Sequence, residues 1–131
     1  MSKTMPKPGE FCWNELMTGD TKKAKSFYSS LLGWKSKDMD MGEDMTYTLF
    51  SNAEKDIGGL MAIPKDQAAH IPPHWMSYIS VENLDETVKQ AKNLGAEIKC
   101  PPKDVGDFGR FAIIVDPTGA HIAFWQSLKA C

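Results

Sequence analysis

A chain of 131 residues is the length of one domain and can bury a core of its own. Hydrophobic residues at 42% and charged residues at 24% match the globular norm and exclude a disordered or fibrous chain. A formal net charge of -2, from 15 Lys and Arg against 17 Asp and Glu, excludes a basic surface made for a phosphate backbone, so no nucleic-acid partner is expected. Three cysteines, Cys12, Cys100 and Cys131, without CxxC spacing argue against a disulfide framework and a structural zinc site. The opening MSKTMPKPGE has no apolar h-region and no window has the apolar length of a membrane span, so a cytoplasmic protein without membrane contact is expected.

In chain order, Pro6, Pro8 and Gly9 break regular structure and predict a flexible arm over the first ten residues. Phe11 to Met17 reads as a strand. Asp20 is a good N-cap, and Ala24, Phe27, Tyr28 and Leu31 follow the helical spacing of a helix lying on a sheet, stopped by Gly33. Trp34–Lys37, Thr46–Phe50 and Ile57–Ile63 are short runs suited to antiparallel strands, with turns at Gly42-Glu43-Asp44 and Ser51-Asn52. Pro64 to Pro73 suits a linker.

The pattern then restarts. Trp75 to Val81 is a strand, and Asn83 with Glu86 has capping-box spacing. Leu84, Val88, Ala91 and Leu94 give a helical stripe stopped by Gly95. Ala96–Cys100 is a strand ended by Pro101-Pro102. Phe111–Val115 and His121–Trp125 pair across the type I turn Asp116-Pro117-Thr118-Gly119. The two helix-stopping glycines lie 62 residues apart, so one unit occurs twice. The expectation is a single α+β domain over 1–131: two tandem βαβββ modules, residues 11–63 and 74–126 with a linker at 64–73, forming one curved mixed sheet. A concave face of that kind is where small ligands bind.

The segments ELMTGDTKKAKSFYSSLLGW, WMSYISVENLDETVKQAKNLGAEI and GRFAIIVDPTGAHIAFW resemble the vicinal oxygen chelate superfamily, which includes glyoxalase I, bleomycin-resistance proteins and extradiol dioxygenases. The resemblance covers about Phe11 to Gln126, and FCWNELMT and PPHWMSYISV resemble a less characterised glyoxalase-like branch. It implies a metal held by His, Glu or similar side chains from the first and last strand of each module. Counted from shared landmarks, those places fall on Trp13, somewhere in Ile57–Ile63, Met76 and Ala123. Indole has no lone pair to give, alanine has none, and a thioether is a poor ligand for hard divalent ions. No resident metal or other cofactor is therefore expected. The alternative is a displaced site of Glu15, His74 and His121, a two-His one-carboxylate set suited to Fe(II).

The inward faces are expected to carry Trp13 and Glu15, then His74, Met76 and Tyr78, then His121 and Trp125, with Arg110 either holding an anionic group or pairing with Asp107 or Asp116. Aromatic walls with a few polar tips suit a flat organic ligand, although the same rings could simply fill the core. The leading expectation is a binding protein for a small aromatic or carbonyl-containing ligand. The alternatives are a lyase, isomerase or oxygenase-type enzyme with Glu15 and His74 as acid and base, and an interaction protein whose halves are merely packed. A homodimer is expected.

Overall fold

The computed structural model describes residues 7–40, 46–64, 70–106 and 108–128. The elements run β1 (Phe11–Thr18), α1 (Thr21–Leu32), β2 (Lys35–Asp40), β3 (Thr46–Asn52), β4 (Lys55–Ala62), β5 (His74–Ser80), α2 (Leu84–Asn93), β6 (Glu97–Val105), β7 (Gly109–Val115) and β8 (His121–Ser127). This is βαβββ twice, an α+β fold. The chain divides into two compact units, Trp13–Met76 and the pair of segments Met1–Cys12 and Ser77–Cys131.

In the first unit the strand order is β2-β3-β4-β1, with β1 and β4 parallel and the other neighbours antiparallel. Asp20 caps α1 by accepting from the Lys23 N–H at 3.0 Å, and Gly33 ends it at φ 75°, a left-handed conformation that glycine adopts without strain. One sheet face, carrying Leu16, Phe50 and Leu60, packs under Ala24 and Tyr28 of the helix. Burying a side chain of that size contributes about 1.5–3 kcal/mol. Buried Thr48 donates to Asp38 at 2.7 Å, so its hydroxyl is not stranded. The expected helix face is only half used, because Phe27 and Leu31 remain exposed. Phe27 instead meets Tyr28 edge-on, Tyr28 stacks on Trp34, and the Trp75 indole N–H donates to the Tyr28 hydroxyl at 3.2 Å.

The second unit repeats the arrangement as β5-β8-β7-β6, with β5 and β8 parallel. Asn83 caps α2 by accepting from Glu86 N–H at 3.1 Å. Beyond the helix Gly95 takes φ 104° and the Ala96 N–H returns to the Ala91 carbonyl. Leu84 and Val88 bury against Ala112, with Val81, Ile98 and Phe124 around them. Asp116 Oδ1 accepts from the backbone N–H of Thr118 and Ala120 and from the Thr118 hydroxyl, which fixes the hairpin turn.

Three local expectations differ. The described end of the arm is tied down: Gly9 N–H donates to Ser80 O and Ser80 N–H to Glu10 O, at 2.7 and 2.8 Å. The β3–β4 turn is Ala53-Glu54, because Ser51 and Asn52 are still paired. Strand β6 runs through Pro101-Pro102 with two register shifts, one of them between Cys100 and Lys103; a sheet edge and a bulge are the places where a strand tolerates proline. The Gly42-Glu43-Asp44 turn and the centre of the linker lie outside the described residues.

Candidate functional site

The face of the first sheet opposite its helix carries Trp13, Glu15, Tyr47 and Gly59. Strand alternation puts Trp13 and Glu15 on one side of β1, with Leu16 on the other. The parallel register sets Glu15 beside Gly59, and the antiparallel one sets Leu49, two residues from Tyr47, beside Gly59 as well. The consequence is a close approach. A Cβ added to Gly59 would collide with the Tyr47 hydroxyl, and one added to Gly58 would lie 2.9 Å from the Asn14 carbonyl oxygen. Two adjacent glycines therefore admit a phenol on one side and a backbone on the other.

In that space the Trp13 indole N–H donates to the Tyr47 hydroxyl at 2.8 Å. Tyr47 also hydrogen-bonds the Glu15 carboxylate. Burial, then the Glu15 charge, push the Tyr47 phenol far above its ordinary value, while the bond from Trp13 pulls the other way; the phenol stays protonated. Glu15 is 6% exposed, whereas Trp13 and Tyr47 are half-buried and keep ring surface in reach of solvent. Sequence reasoning missed Tyr47. The signal was the Gly58-Gly59 pair inside a strand, which marks a place where something comes close.

His74 is half-buried, and its Nδ1 lies 2.8 Å from the Pro72 carbonyl. A carbonyl only accepts, so Nδ1 carries a proton. Met76 is buried.

In the second unit, the sheet face away from α2 carries Tyr78, Ala123, Phe111, Trp125 and His121. Tyr78 lies beside Ala123 and Phe111 beside Trp125, and the Tyr78 and Phe111 rings meet at 6.5 Å. The Trp125 ring reaches the place a Gly109 side chain would take, within 2.5 Å of the added Cβ. His121 is exposed. Arg110 faces the other way, with Ala112: it binds Asp85 at 2.9 Å and Asp104 at 2.8 Å, which lowers the Asp85 carboxyl below its usual range. Its guanidinium is thus engaged within the unit.

Glu15 with Gly59 and Tyr78 with Ala123 are equivalent pairs of the repeat, each joining the first strand of a module to its last in parallel register. Among the described residues no three His, Cys, Asp or Glu side chains form a group able to hold a metal ion, and no helix is long and apolar enough to cross a membrane. Cys12 and Cys100 are free thiols raised by burial. A groove of about 270 Å³ lined by Pro8, Gly9, Val81, Asn83, Glu86 and Gln90 contains none of the residues selected from the sequence.

Comparison with known proteins agrees with this architecture. The chain is 33% identical over 129 residues to "Putative glyoxylase CFP32" of Mycobacterium bovis, covering 94% of this chain and 49% of that protein. It is 27% identical to the anthracycline biosynthesis protein DauV of Streptomyces sp. (strain C5), covering 91% of this chain and 47% of that one. The chain thus spans about half the length of the curated relatives it matches. The crystal structure of the hypothetical protein BH1468 from Bacillus halodurans shares the fold at TM-score 0.70 and 13% identity, over 93% of this chain and 96% of that one. A family model matches residues 11–124, and the chain belongs to the Glyoxalase/Bleomycin resistance protein/Dioxygenase superfamily.

Proposed function

We propose that the protein binds a small flat organic ligand on aromatic walls, at a place where metal-using relatives hold an ion. The observation that carries this reading is the 2.8 Å bond from Trp13 to a tyrosine seated over Gly59. The repeat equates Gly59 with Ala123, so the four places carried from the family are an indole, a bare backbone, a thioether and a methyl. None is a ligand for a hard divalent cation. That donor set does not fit the family's metal.

The half-buried rings of Trp13 and Tyr47 in the first unit support stacking. The relative named for anthracycline biosynthesis is consistent with an aromatic ligand. A second reading, a lyase, isomerase or oxygenase-type enzyme for a carbonyl or aromatic compound with Glu15 and His74 as an acid–base pair, is favoured by the burial of Glu15 and by the relative named as a glyoxylase. A homodimer would match the length of the curated relatives.

The test is a thermal-shift screen of flat aromatic compounds followed by tryptophan quenching, with metal analysis of protein purified without chelator. Hits should raise Tm, by the equivalent of about 2.7 kcal/mol at a hundredfold excess over Kd. Trp13→Leu should abolish the quenching. A stoichiometric transition metal, or a screen with no hit, overturns the reading.

A further inference from the structure

Strand β2, the end strand of the sheet, sorts its charges by face. Asp38 stands opposite Thr48, accepts its hydroxyl, and pairs with Lys25 of α1 at 3.2 Å. The even positions of β2, Asp38 and Asp40 among them, therefore lie on the helix side of the first sheet. Lys35, Lys37 and Met39 share the other face, the one that carries Trp13 and Tyr47. Both lysines are exposed, and among the described residues neither has an ion-pair partner.

Register places these cations beside the rings. Met39 is directly opposite Tyr47 and Lys37 directly opposite Leu49. Lys37 is thus the diagonal neighbour of Tyr47, roughly 7–8 Å away between backbones and within the sweep of a flexible four-carbon stem. Lys37, Leu49, Gly59 and Glu15 form one row across the four strands. Glu15 ends that row three strand spacings, or about 14 Å, from Lys37, and it is buried where Lys37 is exposed. The Trp13 indole N–H can only donate, and it is already spent on Tyr47 at 2.8 Å. Trp13 therefore offers a ligand its ring face, and the β2 edge offers the charge.

We infer that Lys37, seconded by Lys35, makes this site select flat aromatic ligands that carry a carboxylate or similar anionic group, held with that group toward β2. The inference rests on the aromatic-ligand reading of the site and adds the charge class and the orientation. An ammonium at the rim of a ring-bearing face meets the ligand's charge where both stay hydrated, so the contact costs little desolvation and also speeds encounter. The aspartates of β2 do not cancel that field from the ring side, since Asp38 is engaged with Thr48 and Lys25 on the opposite face.

Three probes of similar ring area test it: anthracenecarboxylate, neutral anthracenemethanol and the cation anthracenemethylammonium, titrated against the full chain at neutral pH by fluorescence. Two exposed ammonium groups predict that the anion binds about three- to tenfold more tightly than the neutral probe, and the cation most weakly. Raising the salt from about 0.01 M to about 1 M should close most of that gap, because exposed charges are screened. Lys37→Gln should remove the larger share of the preference, and Lys35→Gln with Lys37→Gln nearly all of it. Lys22→Gln with Lys23→Gln, which removes the same charge from exposed positions on α1, should leave the preference in place. Equal binding of all three probes by the unaltered protein, preference for the cation, or equal loss in the α1 variant overturns the inference and leaves the aromatic site standing. Failure of all three to bind overturns the site, and the inference with it.

Discussion

Tyr47 owes its place to a neighbour that has no side chain. The hydroxyl fills the space over Gly59, so Gly59→Ala must push the ring away and break its bonds to Trp13 and Glu15. Overpacking of this kind costs about 1–3 kcal/mol, to be read as a lower urea midpoint at unchanged slope. Tyr47→Phe keeps the ring but strands the indole N–H and one acceptor of Glu15; a loss of about 1–3 kcal/mol is expected, with a shift in tryptophan emission. Asp38 gives the clearest pH prediction. Its carboxyl is lowered first by the Thr48 hydroxyl and then by Lys25, so its contribution is complete above the ordinary value of 3.8 and is lost as pH falls through the lower folded value. Asp38→Asn should flatten the acid limb of stability against pH and leave the neutral region nearly parallel to wild type. An unchanged acid limb in thermal melts would remove Asp38 from the account.

Among the elements, those built on side-chain chemistry were legible and those built on pairing partners were not. Asp20, Gly33, Asn83 and the Asp116 turn could be named from sequence because a cap or tight turn is a local bargain between adjacent residues. The extent of β6 could not, since two prolines end a strand unless it lies at an edge, and edge position is a property of topology. The β3–β4 turn failed for a related reason: Ala53 and Glu54 adopt φ of 49° and 70° although neither is a turn residue. Replacing them with Asn-Gly, the pair such two-residue hairpins prefer, should stabilise the protein by about 1 kcal/mol or more and raise Tm by several degrees. Strand β7 makes the opposite prediction. Gly109→Val puts a branched side chain into the Trp125 ring and the Gln126 carbonyl, and should lower Tm sharply.

At the scale of the whole molecule, the doubled βαβββ plan was readable because the same caps and stops recur at a fixed spacing, and the repeat was firmer than any single motif. The candidate site was less readable. Trp13 and Glu15 could be chosen by strand alternation, but Tyr47 lies on a strand two places further along the sheet from theirs, and only the register brings them together. Arg110 shows the converse, since its pairing could be foreseen as one alternative but its partners, Asp85 and Asp104, follow from topology. For the intact chain, multi-angle light scattering should return twice the 14.6 kDa monomer mass, in keeping with relatives about twice as long. A monomer at micromolar concentration would count against the dimer.

The glycine beneath Tyr47 also imposes an order on sequence change. A carboxylate or imidazole cannot be introduced at position 59 while the phenol occupies the room it needs, so gaining a side chain there requires Tyr47 to change before, or together with, Gly59. Neither change is neutral alone. The pair is coupled, and a side chain at position 59 is expected only where Tyr47 is replaced too.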